Sequence, residues 1–312
     1  MTLNGRRVVV LGAGGFIGTN LCLALQRAGC EVRGVGRRPH ANSPLASVVW
    51  HDVEFSDADA LARAVDGQDI VFQLLGGSVP VESNRDPVGD VQASLIPTLR
   101  LIEACRTAGV SRFVFASSGG TVYGATPSAP ISENAPTNPT TAYGINKLAI
   151  EKYLGLFRHL HGFDAIALRI ANPYGPFQHR RRAQGLVGAV MARVLAQETI
   201  EIWGDGSIIR DYVHIDDAVT AMLAAAIYAG PYRVFNVGSG EGRSVREVVD
   251  DIRALSATPP GVLYHPGRAA DIPYNVLDCS LLTAETGWRP RITWAVGLER
   301  TARWMRTQPV YS

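Results

Sequence analysis

Gly12-Ala13-Gly14-Gly15-Phe16-Ile17-Gly18 decides the fold. It follows a short apolar run, Arg7–Leu11, and leads directly into an amphipathic segment, Gly18–Ala28. Glycines at 12, 15 and 18 suit a tight turn, close approach of the backbone to a pyrophosphate, and close helix–sheet packing. A helix beginning here offers unbonded N–H groups and the positive end of its dipole to phosphate. No Lys-Ser/Thr pair follows Gly18, which excludes a P-loop. The expected dinucleotide contacts are Gly12, Gly15, Phe16, Ile17 and Gly18.

Outward from this loop, β-branched runs alternate with helix-length segments. Strands are expected at Arg7–Leu11, Glu31–Val35, Val48–Trp50, Ile70–Leu74, Arg112–Ala116 and Asp164–Arg169. Helices are expected at Gly18–Ala28, Asp57–Val65, Ser94–Ala108 and Thr141–His159. Such βα alternation predicts an α/β protein with a doubly wound parallel sheet, the strand carboxyl ends sharing one edge. After Arg169 the rhythm breaks into a Pro/Gly-rich stretch, Asn172–Gln178, a basic loop, Arg180-Arg181-Arg182, and a helix at Gly185–Gln197. The expected division is a dinucleotide-binding domain of residues 1–171 and 210–237, and a smaller mixed α/β substrate-binding lobe of residues 172–209 and 238–312.

Composition narrows the class. A net charge of +2 over 312 residues gives no electrostatic case for nucleic acid or a membrane surface. No apolar stretch nears the roughly 20 residues of a membrane span. Arg6-Arg7 before an apolar run mimics a secretory leader, but four glycines between Gly12 and Gly18 interrupt that run. Cys22, Cys30, Cys105 and Cys279 show no metal-ligand spacing, so no metal is expected and the protein reads as cytoplasmic.

Tyr143-Gly144-Ile145-Asn146-Lys147 is the candidate catalytic unit. Positions i and i+4 share a helix face, so phenol and ammonium point into one space. A free tyrosine has a pKa near ~10 and is a poor base at neutral pH; an adjacent cation stabilises its phenolate. The chain has only two lysines, Lys147 and Lys152, and one of them falls in this pattern. The coenzyme is harder to read. The second strand ends in Val35-Gly36-Arg37-Arg38, without the carboxylate that holds the ribose of NAD. Arg37 and Arg38 either meet the 2′-phosphate of NADP or form a solvated basic loop. Asp52 is placed to accept from the adenine amino group.

These residues resemble the extended short-chain dehydrogenase/reductase family, and within it the nucleotide-sugar 4-epimerases. The likeness continues through Ser117-Ser118-Gly119-Gly120-Thr121-Val122-Tyr123-Gly124, Asn172-Pro173-Tyr174-Gly175-Pro176, Arg210-Asp211-Tyr212-Val213-His214, and Arg268 with Asp271. It implies a Rossmann domain binding NAD, with Asp52-Val53 near the adenine and Leu74-Leu75-Gly76 beside the nicotinamide. Lys147 would bond the nicotinamide ribose. Asn172, Arg210 and Arg268 would hold the diphosphate of a UDP-linked sugar, and Asp271 its ribose. Trp203 lies either near the base or in the core. The resemblance also implies a homodimer through the helices Ser94–Ala108 and Thr141–His159, with Pro97 in the first turn of the earlier one.

Two departures stand out. The serine or threonine that family members place three residues before Val-Tyr-Gly is Gly119 here; counting from the strand end selects Ser118, with Ser117 behind it. The usual His-x-Ala after the fourth strand is replaced by Gln73-Leu74-Leu75-Gly76-Gly77-Ser78. Gly120 and Thr121 occupy the positions where related dehydratases carry Asp-Glu, so elimination of water lacks its acid and base. The expected activity is 4-epimerisation. The alternatives are an NADPH-dependent 4-keto-sugar reductase and a non-catalytic dinucleotide sensor.

Overall fold

The computed structural model describes all residues except 1, 38–42, 77–79, 127–128, 179–184, 268–271 and 309–312. The chain runs β1 (Arg7–Leu11), α1 (Phe16–Arg27), β2 (Glu31–Val35), β3 (Val49–His51), α2 (Ala58–Val65) and β4 (Ile70–Gln73). It continues through α3 (Pro80–Arg85), α4 (Pro87–Asp90), a π-helical turn (Val91–Leu95), α5 (Ile96–Thr107), β5 (Arg112–Ser118), α6 (Ala142–His161) and β6 (Ala165–Ile170). Then come β7 (Asn172–Tyr174), α7 (Leu186–Leu195), β8 (Ile200–Trp203), β9 (Ile209–His214), α8 (Ile215–Ile227) and β10 (Val234–Val237). The remainder is β11 (Gly242–Ser244), α9 (Val245–Arg253), β12 (Val262–His265), β13 (Tyr274–Asn275), α10 (Ser280–Thr286) and α11 (Trp294–Thr307).

Seven strands form a wholly parallel sheet in the order β10-β6-β5-β4-β1-β2-β3. Both faces are covered, so its strands read as continuous apolar runs rather than as alternations. Leu21 and Leu25 of α1 pack with Ala218 and Met222 of α8 on one face. Leu61 of α2, Leu101 of α5 and Ile150 of α6 fill the other. The order reverses beside β1, and the carboxyl ends of the strands at such a reversal are the usual ligand position in open α/β sheets.

The six expected strands are all present, within a few residues of their expected ends. The helix expected at Ser94–Ala108 differs. It begins at Ile96, after the π turn, in which the Ile96 N–H reaches back five residues to the Val91 carbonyl. Pro97 explains the widening: it has no N–H to give the carbonyl four residues earlier, and its ring crowds that group.

A second, four-stranded sheet carries β9 at its centre, flanked by β11 and β13 over one half and by β7 over the other. β8 and β12 form a separate parallel pair. Val190, Met191, Ile202, Tyr212, Val248, Ile252 and Leu298 make a third apolar core beneath these strands. Among the described residues no helix is long and apolar enough to cross a membrane.

Candidate active site

The glycine loop closes as its spacing requires. Gly12 adopts a left-handed φ of +83°, and a Cβ there would stand 3.3 Å from the Leu74 carbonyl carbon and the Leu75 nitrogen. A side chain on Gly18 would run into the Gly12 carbonyl. Gly15 caps α1 without a side chain, and the first intrahelical bond is Thr19 N–H to Gly15 O at 2.9 Å. The Phe16, Ile17 and Gly18 amides therefore precede the helical ladder and are available to an anion. Val53 packs half-buried on the apolar core, whereas Asp52 and Arg37 are exposed. Arg38 lies outside the described residues.

The candidate catalytic pair, Tyr143 and Lys147, is set by the start of α6. The Thr141 hydroxyl accepts from Gly144 N–H at 3.1 Å, Ser83 Oγ from Tyr143 N–H at 3.0 Å, and Asn84 Oδ1 from Ala142 N–H at 2.9 Å. Three orphan amides are thus capped, two of them by α3. Lys147 is buried, its ammonium donating to the Ala116 carbonyl at 2.8 Å and lying 5.5 Å from the Tyr143 ring centre. Burial lowers the Lys147 pKa to about 8, opposed by the charges of Asp90 and Glu151. Burial, reinforced by Asp90, pushes Tyr143 up to about 12. Gly76 crosses above the pair: a Cβ on it would lie 3.7 Å from Lys147 Nζ and 3.8 Å from Tyr143 Cε2. Beneath that loop the fully buried Gln73 accepts from Leu75 N–H at 3.1 Å and donates to Thr98 at 3.2 Å, fixing Leu74 and Leu75.

Two serines close β5, and the structure treats them differently. Ser117 is buried and donates a short hydrogen bond to Glu151. Glu151 also receives both sides of the Arg169 guanidinium, with Nη2 at 2.7 Å. Arg169 continues to the Tyr123 hydroxyl at 3.0 Å, and that hydroxyl donates to Asn236 Oδ1 at 2.7 Å. Ser118 is half-buried at the strand end, its Oγ 4.0 Å from where a Cβ on Gly120 would stand. Sequence reading missed Glu151 and Arg169. Glu151 continues the Tyr143, Lys147 spacing by four more residues and could have been found that way; Arg169 had no local signal.

Facing this end, β9 carries Arg210 and β7 carries Asn172. Asn172 Nδ2 donates to the Asp211 carbonyl at 2.9 Å, and Arg210 Nη1 to the Ile209 carbonyl at 2.9 Å. Asp211 itself is fully buried, accepting from Ser239 N–H and Oγ at 2.7 Å and from Gly240 and Leu277 N–H at 3.2 Å. Asn275, beside Arg210 in the β9–β13 register, donates to the Gly119 carbonyl at 3.0 Å. Its Oδ1 is buried and has no hydrogen-bond partner. Trp203 is 42 % exposed and stacks on His265 at 5.1 Å, which removes the core alternative for it. A cleft of about 640 Å³ opens beside it, lined by Gly204, Asp205, Arg246, Tyr264, His265 and Gly267. Arg268 and Asp271, expected at this end, and Arg180–Arg182 lie outside the described residues.

The chain is similar to known proteins over nearly its whole length. UDP-glucose 4-epimerase of Mycolicibacterium smegmatis is 36% identical over 310 residues, covering 97% of this chain and 99% of that protein. The crystal structure of UDP-glucose 4-epimerase from Thermotoga maritima with UDP-glucose matches with a TM-score of 0.92 at 30% identity, over 96% of this chain and 98% of the other. The Thermus thermophilus UDP-glucose 4-epimerase complex with NAD matches at 0.90 and 32% identity, over 97% and 100%. The model of the NAD dependent epimerase/dehydratase family matches residues 8–238, and the chain belongs to that family.

Proposed function

We propose that the protein is an NAD-dependent nucleotide-sugar 4-epimerase acting on a UDP-hexose or a UDP-N-acetylhexosamine. The observation that carries this reading is the Tyr143–Lys147 pair beneath Gly76, beside a strand end with no carboxylate at Gly120 or Thr121. The side-chain-free cap at Gly15 and the close contacts at Gly12 fit a dinucleotide pyrophosphate. NAD held by the Gly12–Gly18 loop and Lys147 would supply the acceptor and donor for the C4 hydride.

Tyr143 accepts the C4 hydroxyl proton during oxidation and gives it back on reduction, so no proton is lost over the cycle. Lys147 holds the nicotinamide ribose and, as a cation, lowers the cost of the phenolate. Ser118 hydrogen-bonds the reacting oxygen, and Ser117, engaged by Glu151, fixes the strand behind it. Asn172, Arg210 and Arg268 hold the diphosphate while the 4-keto sugar turns to present its other face, and Asp271 the ribose. Trp203 stacks on the base.

The same reading divides the chain into residues 1–171 with 210–237 for the coenzyme and 172–209 with 238–312 for the sugar nucleotide. It places the protein in the cytoplasm, as a homodimer. NMR of UDP-hexoses and UDP-N-acetylhexosamines incubated with the protein and catalytic NAD tests the activity. A C4-inverted product without net coenzyme consumption is expected; no conversion across the panel, with oxidation of NADPH by a nucleotide 4-keto sugar in its place, would instead identify a keto-sugar reductase. Tyr143→Phe is expected to lower kcat by about 10²–10⁴-fold, and retention of the wild-type rate would sink the assignment of Tyr143.

A further inference from the structure

The adenosine end of the proposed coenzyme site differs from the pattern that selects NAD. Selection against NADP ordinarily rests on an acidic residue at the end of the second strand, which bonds the ribose 2′-hydroxyl and repels a 2′-phosphate. Here β2 ends at Val35, and no Asp or Glu occurs between Glu31 and Asp52. Gly36 and Arg37 take the place of that acid.

Their backbone is fixed firmly against the phosphate loop. Gly12 N–H bonds the Val35 carbonyl at 2.9 Å, and Gly36, at a φ of +122°, bonds the His51 carbonyl at 3.2 Å. The Trp50 indole lies flat across β2 opposite Gly34, where a Cβ would come within 2.6 Å of its ring. Its Nε1–H donates to the Gly36 carbonyl at 2.6 Å, and its far edge lies 3.6 Å from where a Cβ on Gly14 would stand. The Arg37 carbonyl lies 3.2 Å from that same point. The residue after the strand is therefore held at the lip of the dinucleotide loop. The Arg37 side chain is exposed and forms no ion pair among the described residues. Asp52, exposed, follows directly on the end of β3.

We propose that this site does not reject a 2′-phosphate: Arg37, held beside the phosphate loop by Trp50 and Gly36, lets the protein bind NADP as well as NAD. A guanidinium is suited to a phosphate because its planar fork donates two parallel hydrogen bonds. The proposal rests on the coenzyme reading above and changes only its selectivity.

Calorimetric titration of the full-length protein with NAD and with NADP, each alone, tests it. Wild type is expected to bind the two within about tenfold of each other. Arg37→Glu is expected to weaken NADP by at least about tenfold, since a charge-assisted bond is lost and a repulsion gained, while NAD affinity changes by less than about threefold. UDP affinity, measured alongside, should not move and reports that the variant is intact. Wild-type binding of NAD with NADP weaker by more than about a hundredfold overturns the proposal, as does an unchanged NAD/NADP ratio in Arg37→Glu. Failure of wild type to bind either coenzyme would strike at the functional reading itself.

Discussion

Glu151 shows what a single buried residue contributes to the pair one turn above it. It is one of two carboxylates whose charge supports the Lys147 ammonium against desolvation, the other being Asp90. With Lys147 near 8 in the free protein, its proton leaves as pH rises through that value, so kcat/KM is expected to fall there. Glu151→Gln removes one support and should move this alkaline limb to lower pH, visible in a pH–rate profile. It also leaves the Arg169 guanidinium buried without its anion, a loss of about 3–5 kcal/mol in unfolding free energy by denaturant titration. At this scale the sequence was most readable where chemistry is local. The glycines at 12, 15 and 18 and the Tyr143/Lys147 spacing lie within one turn or loop. Arg169 and Asn275 reach the site from other strands, and no neighbour in sequence announces them.

Elements transmit these placements. The start of α6 approaches the Thr121 turn so closely that a Cβ on Gly144 would stand 2.8 Å from the Thr121 carbonyl. Gly144→Ala is expected to lift the first turn of α6, costing about 1–3 kcal/mol by the usual scale of overpacking and lowering kcat by displacing Tyr143. Thermal unfolding and steady-state kinetics on the same variant check both parts. The opposite face of α6 exposes Ile145, Tyr153, Leu156 and Leu160, spaced by eight, three and four residues and so on one side of the helix, the pattern of an apolar stripe awaiting a partner. Leu156→Glu with Leu160→Glu should convert the proposed dimer to monomer in sedimentation velocity, leaving the fold intact. Element identity was legible because helix and strand periods differ. The π turn was not, since its cause, Pro97, reads only as a tolerated first-turn residue until the preceding carbonyl is placed.

Over the whole molecule the residues proposed for the two ligands fall to different sheets. The coenzyme loop belongs to the seven-stranded sheet, while Asn172, Arg210 and Trp203 stand on the smaller strands. Trp203→Ala should therefore weaken UDP binding by about 1–3 kcal/mol, the range for an aromatic stacked on a base, and leave NAD affinity unchanged; parallel titrations would show it. Six of the seven strands of the first sheet could be read from the βα rhythm; the edge strand β10 enters after that rhythm has broken. The second sheet could not, because its four strands come from separate stretches, each of two to six residues, with two of them entering long after the rhythm ends.

Asn275 joins these two halves. It stands next to Arg210 on a strand of the small sheet while gripping the carbonyl of Gly119, the residue after Ser118. On the proposed roles, the span from the diphosphate anchor to the reacting centre is set as by the jaws of a calliper. On the same roles, one pyranose ring would fill that gap with C4 at the far jaw. A longer or shorter sugar would bring the wrong carbon to Tyr143, so the protein measures position along the ring before any hydroxyl is recognised.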